Sequence, residues 1–285
     1  MTILNADARR TLDDRTAELR SIAGLLRKDV LQMIHAAGSG HCGGCLSSAE
    51  IVAVLYFEVL RVDPANPGWP DRDRFIASKG HCAPLIYAAL ARRGFFPVEE
   101  LSGLRKTGHF LQGHPDMNTV PGVDMSTGSL GMGLSVGVGM SLAARLAGRS
   151  YRTFVLLGDG ELQEGQVWEA AMSAARYRLA NLTAVVDRNG VQLDGRVDDI
   201  IPLGDLADKW RAFGWNAIEA DGHDPVDLVR AIGLASACSE TPSVVIANTV
   251  KGKGVSFMEG NHEWHGKPLG ADDLNTALAE LGACS

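Results

Sequence analysis

The sequence predicts an α/β domain in which a parallel sheet carries helices on both faces. Three observations lead there. From about residue 153 onward, short aliphatic and β-branched runs alternate with segments of helical apolar spacing. Two of those runs pass directly into polar, glycine-bearing stretches, as strands do at the ligand-binding edge of an open sheet. No internal repeat or low-complexity tract divides the 285 residues, so residues 1–285 read as a single domain.

Taken in order, residues 12 to about 37 form a helix, with Ile22, Leu26, Val30 and Met33 at helical spacing. Gly38, Gly40, Gly43 and Gly44 break it. Ser47, with Glu50 three residues on, makes a capping box that starts a second helix running to about Leu60. Asp63 to Pro70 holds three prolines and is loop. Phe75–Ala77 is a short strand, followed by a helix from about Pro84. The apolar, glycine-rich segment Leu134–Ala147 suits either a close-packed interface or an internal helix. Thr153–Leu157 and Leu182–Val186 are buried strands separated by a helix from Gly165 to about Arg178. Helices Ala207–Phe213 and Pro225–Ala237 alternate with strands Trp215–Glu219 and Ser243–Asn248, and a short helix, Ala271–Leu281, ends the chain. Such alternation implies right-handed crossovers within a parallel sheet.

Composition narrows the function. Hydrophobic residues make up 46%, enough for a sizeable core. The 34 acidic residues against 27 basic ones argue against a nucleic-acid partner, whose site needs a basic stripe. No apolar run is long enough for a membrane span, the longest stopping at Glu58. Asp7, Arg9, Arg10, Asp13 and Asp14 precede any apolar run, unlike a signal peptide. Five cysteines, an odd number, do not suggest a disulfide framework, and a cytoplasmic setting is expected.

The chemistry should lie at the strand ends. One strand runs into Gly158-Asp159-Gly160-Glu161-Leu162-Gln163-Glu164-Gly165, the next into Asp187-Arg188-Asn189-Gly190-Val191. Successive strands place Asp159 and Asn189 on one crevice. A carboxylate, an amide oxygen and a nearby backbone carbonyl form a hard-oxygen set for Mg²⁺ or Ca²⁺. They are too few to enclose the ion, so water and phosphate oxygens must complete its shell, and a phosphorylated cofactor follows. Each motif alone reads equally as a turn, Gly-Asp-Gly as a bend and Asn189-Gly190 as a hairpin signal. Their occurrence at successive strand ends favours the site. Six of the eight histidines (His41, His81, His109, His114, His223 and His265) adjoin a glycine, and loop histidines at strand ends form pockets. His109 and His223 are expected as solvated loop residues and His35 within a helix.

Gly158-Asp159-Gly160 followed about thirty residues later by Asn189 resembles the thiamine diphosphate signature. Around it, Ser39-Gly40-His41, Ser78-Lys79-Gly80-His81, Gly113-His114-Pro115, Ser126-Thr127-Gly128-Ser129-Leu130-Gly131 and His262-Glu263-Trp264-His265-Gly266 resemble transketolase in order and spacing. The likeness runs from about residue 15 to 270 and covers the diphosphate-binding domain. It implies that Asp159, Asn189 and the Val191 carbonyl are metal ligands. It makes His81, the Gly160 backbone and His265 diphosphate contacts, with Ser129, Gly158 and Glu161 also in the cofactor-binding loops. Gly128 matches the residue whose carbonyl receives the 4′-amino group, and Leu130 lies under the thiazolium. His41, His114 and His265, with His81, surround the donor and the reacting carbon, and Glu164 resembles a glutamate that communicates across the dimer. Cys42 departs from a usual proline, as does Ser129, and Met132 from a glutamine. Serine at position 129 is familiar in split transketolases.

Cys42 and Cys45 form a lone C-x-x-C, read as neither redox pair nor zinc site, while Cys82, Cys238 and Cys284 read as incidental. Lys251-Gly252-Lys253-Gly254 reads equally as a mobile basic loop by the cofactor and as a solvated turn. After His265 about twenty residues remain, so the pyrimidine-binding and C-terminal domains are expected on another chain. The resemblance therefore implies the N-terminal subunit of a split transketolase. It would act on sugar phosphates with a C-terminal subunit that carries the activating glutamate, as α₂β₂. The alternatives are a deoxyxylulose-phosphate synthase-like or 2-oxoacid dehydrogenase-like subunit, or a non-catalytic cofactor-binding scaffold.

Overall fold

The computed structural model describes residues 11–283. Asp7, Arg9, Arg10 and Cys284 lie outside them. Helix α1 (Leu12–Ala37) opens on a capping box between Thr11 and Asp14 and closes at Gly38. Two short buried helices follow, α2 (Cys42–Ser47) and α3 (Ala49–Val54), the latter running into a π-helical turn at Leu55–Val59. The capping box expected at Ser47 does not form. The helix starts instead at Cys42, just after His41, and runs through Gly43 and Gly44. Burial is the reason. The Ser47 hydroxyl donates to Asp187 (2.7 Å), while Glu50 turns to Arg27 (2.6 and 2.7 Å), so both polar groups serve distant partners rather than a helix end.

The rest of the chain is β1 (Arg74–Ala77), α4 (Ala83–Arg93), α5 (Met132–Leu146), β2 (Thr153–Gly158), α6 (Gly165–Arg176) and β3 (Leu182–Arg188). A small hairpin of β4 (Val191–Gln192) and β5 (Gly195–Arg196) comes next, then α7 (Val197–Ile200), α8 (Leu206–Ala212), β6 (Asn216–Asp221), α9 (Pro225–Ala237), β7 (Ser243–Asn248) and α10 (Ala271–Ala283). Every predicted strand is present to within two residues. Asn189-Gly190 is not the hairpin's turn, which falls between Gln192 and Gly195.

The main sheet has the order β1-β2-β3-β7-β6 and is parallel throughout. Alternate strand residues feed two cores, as the two-residue side-chain period requires. Phe154, Leu156, Val185 and Val245 face one layer with α1, α3, α4 and α9. Val155, Leu157, Val186 and Ile246 face the other with α5, α6 and α8. The connection from β3 to β6 crosses the second face through α8, and the return to β7 crosses the first through α9, so β3 and β7 flank a switch in winding where open sheets bind ligands. Among the described residues no helix is long and apolar enough to cross a membrane.

Candidate functional site

The carboxyl ends of the strands deliver their loops to one rim. β1 leads to Ser78-Lys79-Gly80-His81, β2 to Asp159-Gly160-Glu161, β3 to Asn189-Gly190-Val191 and β7 to Thr249-Val250-Lys251. His41 arrives from the N-terminus of α2 and His265 from a 3₁₀ turn, His262–His265. The chain thus brings together residues more than two hundred positions apart. His41, His81 and His265 form a triangle with ring centroids 5.2 to 5.3 Å from one another. Burial, then the His81 charge, depresses His41 to about 4. Burial, then the neighbouring Lys251 ammonium, depresses His265 to about 3. Both imidazoles are therefore neutral near pH 7 and able to donate and accept hydrogen bonds. His114 is lowered as well, by burial, His81 and Arg105, and its ring lies against Gly128.

Lys251, bonded to both His265 and the Val191 carbonyl, joins the histidines to the oxygen set. Asp159 accepts from the Gly160 amide (2.9 Å) and the Gly190 amide (2.6 Å), which ties the β2 loop to the β3 loop. Asn189 donates its amide to Asp187 (3.0 Å), leaving its oxygen to accept from the Val191 amide (3.1 Å). The Val191 carbonyl accepts from the Lys251 ammonium (3.0 Å). Burial and the nearby Asp187 charge push the Asp159 carboxyl up to about 6, so a cation beside it would be strongly favoured. The donor set is all oxygen, and His41 Nδ1 and Thr127 Oγ1 are buried without a hydrogen-bond partner. Both features fit a hard cation and a polar ligand in this cleft.

Asp187, Lys79, Lys251 and Arg105 carry weight that sequence reasoning did not assign. Asp187 is fully buried and receives Lys79 (2.5 Å), Ser47, Asn189 and Thr249. Burial alone would raise its pKa. Lys79 and the hydroxyl donors hold it at about 2 instead. Arg105 has a left-handed backbone (φ 59°), lies across Gly113 and donates to Ser39 (3.3 Å), while its Nε is buried without a partner. The usable signal was the polar stretch just beyond β1 and β7, each carrying a Lys within three residues of the strand's end.

Glu161 and Gly158, expected among the cofactor contacts, are engaged in the scaffold. The Glu161 carboxylate accepts from the Gly131 amide (2.8 Å), the Gly158 amide (3.1 Å) and Ser78, binding the start of α5 to the ends of β1 and β2. Burial raises its pKa against those donors. Gly128, Ser129, Leu130 and Glu164 lie at the exposed edge, Glu164 against Gly131. Helix α5 turns one side inward: Leu134 and Val138 face the core, whereas Met132 and Leu146 are exposed.

His223 and His109 are not free solvated residues. His223 donates to Glu50 (3.0 Å) and accepts from the Val250 amide (2.8 Å), and His109 bonds Glu100 (2.9 Å) and the Leu111 amide (3.2 Å). His35, in α1, reaches the Leu269 carbonyl (2.8 Å). Lys251 is buried, contrary to a solvated turn, while Lys253 stays outside with Glu259 (3.4 Å). Cys42, Cys45, Cys82 and Cys238 are free thiols, and burial pushes Cys42 up to about 12. Among the described residues no group of three or more His, Cys, Asp or Glu side chains could hold a metal ion by itself.

Comparison with known proteins agrees with this arrangement. The family model for the transketolase thiamine diphosphate binding domain matches residues 19–284. The chain is 45% identical to a 6-deoxy-6-sulfo-D-fructose transketolase subunit of Clostridium sp. (strain MSTE9), over 95% of this chain and 98% of that one. It is 41% identical to an apulose-4-phosphate transketolase subunit of Phocaeicola vulgatus, over 93% and 94%. The transketolase structure from Leishmania mexicana superposes with a TM-score of 0.89 at 32% identity, covering 93% of this chain but only 41% of that one. The chain therefore spans about two fifths of that solved transketolase.

Proposed function

The chain belongs to the transketolase family through its thiamine diphosphate-binding domain, and from that premise we propose that it is the N-terminal subunit of a split transketolase. It would move a two-carbon ketol unit from a ketose phosphate to an aldose phosphate once joined by a C-terminal subunit, as α₂β₂ in the cytoplasm, with residues 1–285 forming a single diphosphate-binding domain. The observation that carries this reading is the histidine triangle joined to the loop of oxygen donors Asp159, Asn189 and Val191 through Lys251, which bonds both His265 and the Val191 carbonyl. Near-complete overlap with relatives named as transketolase subunits supports the division into two chains. Those relatives are named for anionic sugars, a sulfonate and a phosphate, and an anionic ketose is the proposed substrate class here.

In this reading Asp159, Asn189 and the Val191 carbonyl would hold Mg²⁺ or Ca²⁺. His81, Gly160 and His265 would meet the diphosphate, and Gly128, Ser129 and Leu130 the rest of the cofactor. When bound, thiamine diphosphate supplies an electron sink for carbon–carbon bond cleavage. The chain's own part is to orient and to manage protons. His41, half-buried, and His114, exposed, are both neutral and can hydrogen-bond donor hydroxyls and exchange protons with them. Lys79 and Asp187 fix the amide of Asn189 so that its oxygen is free of Asp187. Glu164 stands at the exposed edge, where the other subunit would reach it.

The test is reconstitution. The chain alone should give no ketol transfer, and addition of the C-terminal subunit with thiamine diphosphate and Mg²⁺ should restore it. Full turnover by the chain alone would refute the split. Decarboxylation of pyruvate by the reconstituted pair would favour the synthase- or dehydrogenase-like alternative, and binding of cofactor without any turnover would favour a scaffold.

A further inference from the structure

Lys251 occupies a place that ordinary packing does not explain. Its side chain is 2% exposed, and its ammonium bridges the Val191 carbonyl (3.0 Å) and His265 Nδ1 (2.9 Å). Reaching that point demands two glycines. A Cβ on Gly43 would stand 2.9 Å from the Lys251 Cγ and 3.1 Å from the Trp264 carbonyl, so only a bare backbone lets the stem pass. Gly252 has φ 78°, and a Cβ there would meet the Met258 carbonyl at 2.4 Å. The Gly252 amide then donates to the Gly43 carbonyl (3.0 Å), closing the loop over α2. The chain has thus accepted two glycine constraints and buried an ammonium to place one donor.

The chemistry of that donor decides the state of the ring. An ammonium has three N–H donors and no acceptor, so His265 Nδ1 must be the acceptor and carry no proton. With Nδ1 accepting, the ring cannot be an imidazolium, so it is neutral with its one proton on Nε2. His223 is arranged in the opposite sense: its Nε2 accepts from the Val250 amide, so its proton sits on Nδ1 toward Glu50. Two histidines flanking residues 250–251 are therefore held as opposite tautomers by neighbouring groups on one strand end.

We propose that Lys251 is a positioning residue that locks His265 as the Nε2–H tautomer and tethers the ring to the Val191 loop, so that His265 meets its ligand as a hydrogen-bond donor. The tautomer is a property of this chain by itself; its use in ketol transfer rests on the proposed function. With histidine labelled in ¹⁵N, two-bond ¹⁵N–¹H correlation spectra of the isolated chain read the tautomer directly, His265→Gln assigning the signal. The wild-type ring should give an unprotonated Nδ1 and a protonated Nε2. In Lys251→Met both nitrogens should move to averaged shifts as the tautomers exchange, with the His223 pattern unchanged as the control for an intact fold. A protonated Nδ1 in the wild type, or an unaltered His265 pattern in Lys251→Met, would overturn the proposal. Should that variant not fold, Lys251→Gln is the second probe, its shorter side chain being unable to bridge Val191 and His265, and the wild-type spectrum still decides the tautomer. In the reconstituted pair, kcat of Lys251→Met should fall by roughly tenfold or more, and an unchanged kcat would remove the tautomer from the reaction. Activity of the wild-type pair tests the functional reading separately.

Discussion

Replacing Lys79 by Met isolates the charge that supports the oxygen set. Lys79 Nζ bonds Asp187 (2.5 Å), Ser48 Oγ (2.9 Å) and the Gly44 carbonyl (3.0 Å), and both charged side chains are buried. Gly44 keeps the Ser48 hydroxyl as a donor, so its carbonyl is not stranded. Asp187 keeps Ser47, Asn189 and Thr249 but loses its only charged partner among the described residues. Breaking one side of a buried pair costs about 3–5 kcal/mol, and the remaining donors place Lys79→Met near the lower end, at about 3 kcal/mol. Adding Asp187→Asn removes the stranded charge, so the double variant should recover part of that loss, with a coupling of at least about 1 kcal/mol. The pH dependence has a definite sign. In the wild type Asp187 is held at about 2, below its unfolded value, so its contribution is complete above pH 4 and lost as pH falls toward 2. Without Lys79 its pKa rises, so the deficit should narrow as acid neutralises the carboxylate. Urea unfolding of the isolated chain at pH 7 and pH 5, followed by circular dichroism, measures both effects. A cost under about 1 kcal/mol, or strict additivity in the cycle, would refute the view that this pair supports the site.

Asp159→Ala should abolish metal-dependent binding of thiamine diphosphate to the reconstituted complex by calorimetry; unchanged binding would remove Asp159 from the ligand set. His41 and His265, with pKa values lowered to about 4 and about 3, should show no titration between pH 5 and pH 8 in proton NMR of the isolated chain. Glu50 is opposed by burial, but His223 and Arg27 hold it at about 2, so it stabilises the fold above about pH 4.5 and loses that effect as pH falls toward 2. Glu50→Gln should therefore unfold at lower urea at pH 7, by about 3 kcal/mol, with a shallower acid limb.

Much of the fold was legible because it obeys simple periodicities. Leu182–Val186 alternates between two cores and is buried on both faces, so it reads as a near-continuous apolar run with Thr183 its one polar member. Asp159 and Asn189 were legible as a pair because adjacent parallel strands carry their first loop residues to the same edge. What could not be read depends on long-range electrostatics. Ser47 and Glu50 satisfy the local rule for a helix start, yet Asp187 lies 140 residues from Ser47 and Arg27 belongs to a different helix. Lys251 sits in a Gly-Lys-Gly-rich stretch that looks like a solvated turn, and only the passage over Gly43 reveals that its ammonium is buried. His223 and His109 likewise look like loop histidines until Glu50 and Glu100 are brought to them.

The distribution of charge bears on why the proposed partner is needed where it is. On the inner side of the cleft Lys79 is paired with Asp187, Lys251 is held between Val191 and His265, and Glu161 sits among three donors, while Asp159, pushed up to about 6, is left facing a cation position. This half can orient a hard ion and an anionic tail with little rearrangement. The outer side is different. Leu130 and Met132 are each 38% exposed in the same stretch as the exposed Gly128 and Ser129, Glu164 lies against Gly131, and on α6 Met172 is 55% exposed. An apolar ring system resting on Leu130 would have water on its other face, where the electrostatic and proton-transfer steps of carbon–carbon chemistry are weakest. A second subunit laid over α5 and α6 would cover that face and bury the methionines. The surface around Leu130 should therefore be protected from hydrogen exchange only in the reconstituted complex, and equal protection in the isolated chain would argue that the cleft closes without a partner.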